Sequence, residues 1–152
     1  MKEELRLEVP RDTCYLSSVR ALVEAAARRS GFDELSAHQI VASVDEACAV
    51  AISNAAARAS GEHVALGAGP SRLRVVVERD RRRICVRVED LAGRVDFADS
   101  LAADPGQPGD MAFLLISGFM DEVEYGVGEE GPEITLIKFR PGSRSGRQGR
   151  RS

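Results

Sequence analysis

The chain has 152 residues, 43% of them hydrophobic and 30% charged, with a formal net charge of −3. That length and mix suit one soluble globular domain with a real core, and argue against a disordered or fibrous chain. The acidic balance, the absence of Trp and an aromatic content of 5% give no electrostatic or stacking basis for nucleic acid as main partner, so direct DNA binding is not expected.

In chain order, "KEELRLEVP" alternates Leu5, Leu7 and Val9 with charged residues and stops at Pro10, which predicts a first strand. "DTCYLSSVRALVEAAARRSG" spaces Leu16, Val19, Leu22 and Val23 at helical intervals and ends at Gly31, a C-cap signal. Ser36 followed by Gln39 reads as a capping box. The helix it opens continues inward through Ile40, Val44, Ala47, Cys48 and Ala51 and fades around Arg58 to Ser60. "GEHVALGAGPS" is a loop or weak strand. "RLRVVVERD" and "RICVRVED" predict a hairpin whose connector carries Arg79, Arg81, Arg82 and Arg83, read as a solvated tip with a docking patch as the alternative. The Pro/Gly-dense "LAADPGQPGD" is a flexible loop. "MAFLLISGFMDEVEYG" is a third helix passing into a strand near Val123, and "PEITLIKFRP" is the last strand.

The apolar runs are short and alanine-rich, under the about 20 residues a membrane span needs. "MKEELRLEVP" has no signal-peptide core, so a cytoplasmic protein without membrane contact is expected. Cys14, Cys48 and Cys85 are odd in number, lack C-x-x-C spacing and lie in apolar patterns, as reduced core thiols do. His38 and His63 have no Cys or carboxylate at ligand spacing, so a zinc site is not expected. The order β-α-α-(β)-ββ-α-ββ predicts an α+β two-layer sandwich: a mixed, mostly antiparallel sheet with three helices on one face. Residues 1–140 form the single domain, and 141–152, low-complexity and basic with Arg144 to Arg151, a disordered tail.

Three stretches, in order, resemble the boxes of one family. "IVASVDEACAV" matches "I-x-x-x-V-[SD]-E-A-x-x-N" through Glu46 and Ala47. "DLAGR", Asp90 to Arg94, falls where the family has "D-x-G-x-G". "DMAF" and "FMDEV" fall where it has "G-x-G-[LF]" and "F-M-D-[DE]-V". Across about residues 1–139 the chain resembles the bacterial anti-sigma factor serine/threonine kinases, small members of the GHKL ATPase superfamily that includes gyrase and the histidine kinases. The resemblance implies the GHKL, or Bergerat-type, fold and ATP or ADP with magnesium as cofactor. It also implies a homodimer that holds a sigma factor and releases it to an anti-anti-sigma (STAS-type) antagonist, a serine of which the family phosphorylates. Glu46 would be the general base on that serine, and Asp90 would accept a hydrogen bond from the adenine amino group.

The departures fall in the same boxes. The family's magnesium-ligating Asn is Val50 here, and magnesium requires oxygen ligands, so no metal ligand is assigned. Ser53 and Asn54 lie about 5–6 Å away on the helix and do not substitute. Ala92 and Arg94 flank Gly93 where glycines belong, and Asp110 and Ala112 replace both glycines of the third box, with Gly109 just before and Phe113 just after. Glycine lets backbone N–H groups approach a phosphate, whereas a carboxylate repels it. The expected protein is therefore a degenerate member, an anti-sigma-like regulator working by partner switching with weakened or absent ATP use. A working serine kinase with an atypical pocket is the alternative, and a non-catalytic scaffold domain a further one. For Glu46 the alternative role is a retained acid bonding within the fold; for Asp90 it is a strand-end acid bonding to backbone or to an arginine.

Overall fold

The computed structural model describes residues 2–61, 72–91, 97–100 and 110–142. Five strands form one sheet: β1 (Glu3–Pro10), β2 (Arg72–Arg79), β3 (Arg83–Asp90), β4 (Glu122–Gly128) and β5 (Gly131–Phe139), in the order β1-β2-β3-β5-β4. Against it pack α1 (Leu16–Arg29), α2 (Glu34–Gly61), the four-residue α3 (Phe97–Ser100) and α4 (Asp110–Phe119). The α+β sandwich expected from the sequence is the observed architecture. Two details differ. Every neighbouring pair of described strands is antiparallel, so the expected mixed sheet is not found among them. A short fourth helix, α3, is also present, its Phe97 sunk into the core at 2% exposure. The glycine-rich stretch after α2, the loop of 101–109 and the tail from 143 lie outside the described residues.

Alternation along each strand sets the two faces of the sheet. On the helix side the register aligns Leu5, Val77, Val86, Leu136 and Val123 in one row, and Leu7, Val75, Val88, Ile134 and Tyr125 in the next. Onto these rows fold Val19, Val23, Ala26 and Ala27 of α1, Ile40, Val44, Ala47, Cys48 and Ala51 of α2, and Ile116 of α4. Each fully buried Val, Ile or Leu stabilises the fold by about 1.5–3 kcal/mol. On the opposite face Arg74 bonds Glu8 at 2.6 Å and Glu89 at 3.0 Å, and Arg87 bonds Glu89 at 2.7 Å. The same face carries Val76, Cys85 and Ile137, all buried.

By length and composition Glu34–Ser53 of α2 would pass as a membrane span, which the short apolar runs of the sequence did not suggest. In the fold its apolar stripe lies in the domain core, against α1, α4, β3 and β5.

The ends of the helices are chemically specified. Gly31 at φ +85° closes α1 in a Schellman arrangement, with Phe32 N–H donating to Ala27 C=O at 3.3 Å and Gly31 N–H to Arg28 C=O at 3.0 Å. The cap of α2 is Asp33, not Ser36. The Asp33 carboxylate accepts from the Ser36 N–H at 2.7 Å, and the helix begins earlier than the capping box suggested. Between β2 and β3, Asp80 Oδ1 accepts from the N–H groups of Arg82 and Arg83 at 2.7 and 3.0 Å, an Asx turn that fixes the hairpin. The "FMDEV" stretch proves structural. Met120 is buried, and Asp121 accepts from the Phe139 N–H at 2.7 Å, stapling the start of β4 to the end of β5. Cys48 and Cys85 are buried as expected, but Cys14 is exposed, because it sits on the 3-10 turn Thr13–Tyr15 before α1 rather than on the helix's inward face.

Two glycine substitutions have opposite expected signs. Gly31→Ala forces a Cβ into the left-handed region and against the Arg140 guanidinium, and is expected to destabilise by about 1–2 kcal/mol in urea denaturation. Gly118→Ala in α4, where a Cβ meets nothing within 4 Å, is expected to stabilise by about 0.5–1 kcal/mol. A thiol reagent at pH 8 is expected to label Cys14 first. Cys48, its thiol pushed up to about 12 by complete burial, should react only once the chain is unfolded.

Candidate functional site

Asp90 ends β3 on the helix-facing side of the sheet, across from Leu73 of β2, which in turn faces Val9 of β1. That row elsewhere holds hydrophobes, and Asp90 has no solvent exposure at all. An isolated buried carboxylate would be costly unless paired. Its partner is Arg11, the residue directly after β1, whose Nη2 bonds Asp90 Oδ1. The Arg11 side chain is itself only 5% exposed. Through Nη1 it also donates to the Ala51 carbonyl of α2 at 3.0 Å. One guanidinium thus ties the end of β1, the end of β3 and the middle of α2 together.

The segment of α2 reached in this way is the one that carries the first box. Val50, next to Ala51, is half-buried and packs against the core. Glu46, one turn earlier, is half-buried on the same helix, with Ala47 and Cys48 beneath it fully buried. Ser53 is exposed. From the third box, Asp110 opens α4, its side chain outside the described ones; Ala112 is buried in the core, and Phe113 packs against it. Gly93 and Gly109, with Ala92 and Arg94, lie outside the described residues. Arg11 thus links Asp90 at the end of β3 to the Ala51 carbonyl of α2, the helix that also carries Glu46 and Val50. Ala112 and Phe113 join the same core from α4, which packs along α2.

Among the described residues, this donor set does not fit a magnesium–nucleotide. The position that would ligate the metal is a hydrocarbon turned to the core, and the acid that would receive the adenine amino group is already engaged by a buried cation. Among the described residues, no three His, Cys, Asp or Glu side chains lie together as a metal-holding group. Asp90 forms an ion pair with an arginine, the contact named above as the alternative to an adenine anchor.

Arg11 is the residue that sequence reasoning missed. Its signal is faint: a charged residue directly after the proline that ends β1. Only the register β1-β2-β3, aligning Val9, Leu73 and Asp90, brings it to Asp90, 79 positions away.

A profile of the histidine kinase-like ATPase domain matches residues 9–138, most of the chain. The chain belongs to this family, and its sheet and helices agree with the GHKL-type fold. No curated protein matches it.

Breaking the buried pair from either side strands a charge. Arg11→Met and Asp90→Asn are each expected to destabilise by about 3–5 kcal/mol in denaturant unfolding. The double variant should lose less than the sum, a coupling that a double-mutant cycle measures directly. Additive losses would mean that the two side chains do not act on each other.

Proposed function

We propose that the chain is an anti-sigma-like regulator of transcription that works by protein contact, exchanging a sigma factor for an anti-anti-sigma protein without turning over ATP. Membership of the histidine kinase-like ATPase family supports the scaffold of this reading. The resemblance of its three boxes to those of anti-sigma kinases supports the class of partner. The observation that carries the loss of nucleotide chemistry is Asp90, fully buried and held by Arg11. Val50, packed on the core where an oxygen ligand would be needed, agrees with it. In this reading the protein is a cytoplasmic homodimer, and Glu46 is an acid kept within the fold rather than a base acting on a substrate hydroxyl.

The test is capture on the purified chain from a bacterial lysate, with and without added ATP, followed by mass spectrometry and a phosphotransfer assay with labelled ATP. The expected result is a sigma factor retained equally in both conditions and no label on the captured proteins. Transfer of label to a serine of an antagonist would overturn the proposal in favour of a working kinase. Absence of any sigma factor would overturn it in favour of a scaffold.

A single restored ligand is not expected to revive the pocket. Val50→Asn should leave magnesium–ATP affinity unchanged in equilibrium dialysis, because Arg11 still holds Asp90. A gain of tenfold, worth about 1.4 kcal/mol, would show that the pocket lacks nothing but its metal ligand.

A further inference from the structure

Most arginines of the described fold are neutralised where they stand. Arg74 is held by Glu8 and Glu89, Arg87 by Glu89, Arg20 by Asp45, Arg28 by Glu24, and Arg79 by Glu3. Among the described residues, Arg29, Arg81, Arg82, Arg83 and Arg140 make no ion pair. All five sit at the same end of the sheet, where α1 stops, β2 turns into β3, and β5 leaves the sheet. That end lies the full length of β3 from Asp90, about 23 Å for eight residues of strand.

A depression of about 280 Å³ opens there, lined by Arg29, Arg81 and Arg140 together with the Arg79–Glu3 pair and Asp80. Its two carboxylates are already engaged: Glu3 by Arg79 at 2.9 Å, and Asp80 by the backbone of the Asx turn. Arg140 is set in place rather than left loose. Its backbone N–H donates to Arg82 C=O at 2.8 Å, and its guanidinium lies over Gly31, 2.8 Å from where a Cβ would stand. The missing side chain of Gly31 admits the cation to the end of α1.

We propose that this depression is a docking site for an Asp- or Glu-rich segment of a protein partner. Charge complementarity selects the occupant: three guanidiniums without an ion pair line one hollow, and the exposed Arg29 and Arg81 can each take a carboxylate in a forked pair. A nucleic-acid backbone is a poorer match. The chain as a whole carries −3, no aromatic side chain lines the hollow for stacking, and Glu3 and Asp80 interrupt the positive surface. The proposal concerns a surface separate from the Asp90 site and stands whether or not nucleotide binds.

Fluorescence anisotropy of a labelled decaglutamate peptide, titrated with the full chain at low salt, tests it. Wild type should bind, and the exposed double variant Arg29→Gln/Arg81→Gln should bind about tenfold more weakly, the effect of two lost surface charge pairs. Arg6→Gln on the outer sheet face should leave binding unchanged. The proposal is overturned if Arg29→Gln/Arg81→Gln binds like wild type, or if substituting Arg144, Arg147, Arg150 and Arg151 by Gln abolishes binding by itself. It is also overturned if a short DNA duplex binds more tightly than the peptide.

Discussion

A carboxylate withdrawn from water stays ionised only beside a cation withdrawn with it, and the cation must reach it from somewhere the fold can fix. Asp90 and Arg11 satisfy that condition across three elements, since Arg11 also bonds the Ala51 carbonyl of α2. The pair links the middle of α2 to the end of the sheet. The acid at the end of β3 is thereby engaged by a cation of the chain itself. Asp90 lies within the stretch that matches the histidine kinase-like ATPase domain.

The changes in the boxes share a physical direction. Val50 exchanges a metal-ligating oxygen for core packing, and Ala112 exchanges a glycine for a buried methyl. Both side chains pack on the core of the helix side. Among the described residues, the arginines without an ion pair lie at the far end, where Arg29, Arg81 and Arg140 gather around one hollow.

Much of the fold was legible in the sequence because its signals are local. Alternation in "LRLEV" and "RLRVVVER" marks strands, the spacing of Val19 and Val23 marks a helix, and Gly31 marks its end. The cap of α2 was misplaced because Ser36 and Asp33 both suit an N-cap, and only backbone geometry decides between them. Cys14 sits in an apolar-looking pattern, yet a 3-10 turn rotates it out to solvent. At the candidate site the lost Asn and glycines could be read directly, since each is a change at one position. The Arg11–Asp90 bond could not, because it depends on a register spanning β1, β2 and β3. The basic hollow was partly visible as the run of Arg79 to Arg83; Arg29 and Arg140 join it only through tertiary structure.

The central claim is that the acid at the end of β3 serves the fold and not a nucleotide. Calorimetric titration of the purified chain with ATP and with ADP, each with and without magnesium, tests it most directly. The account predicts no magnesium-dependent heat of binding. Tight binding that requires magnesium would contradict it, because the ion and the adenine would then both have found ligands that this arrangement of Val50, Asp90 and Arg11 does not offer.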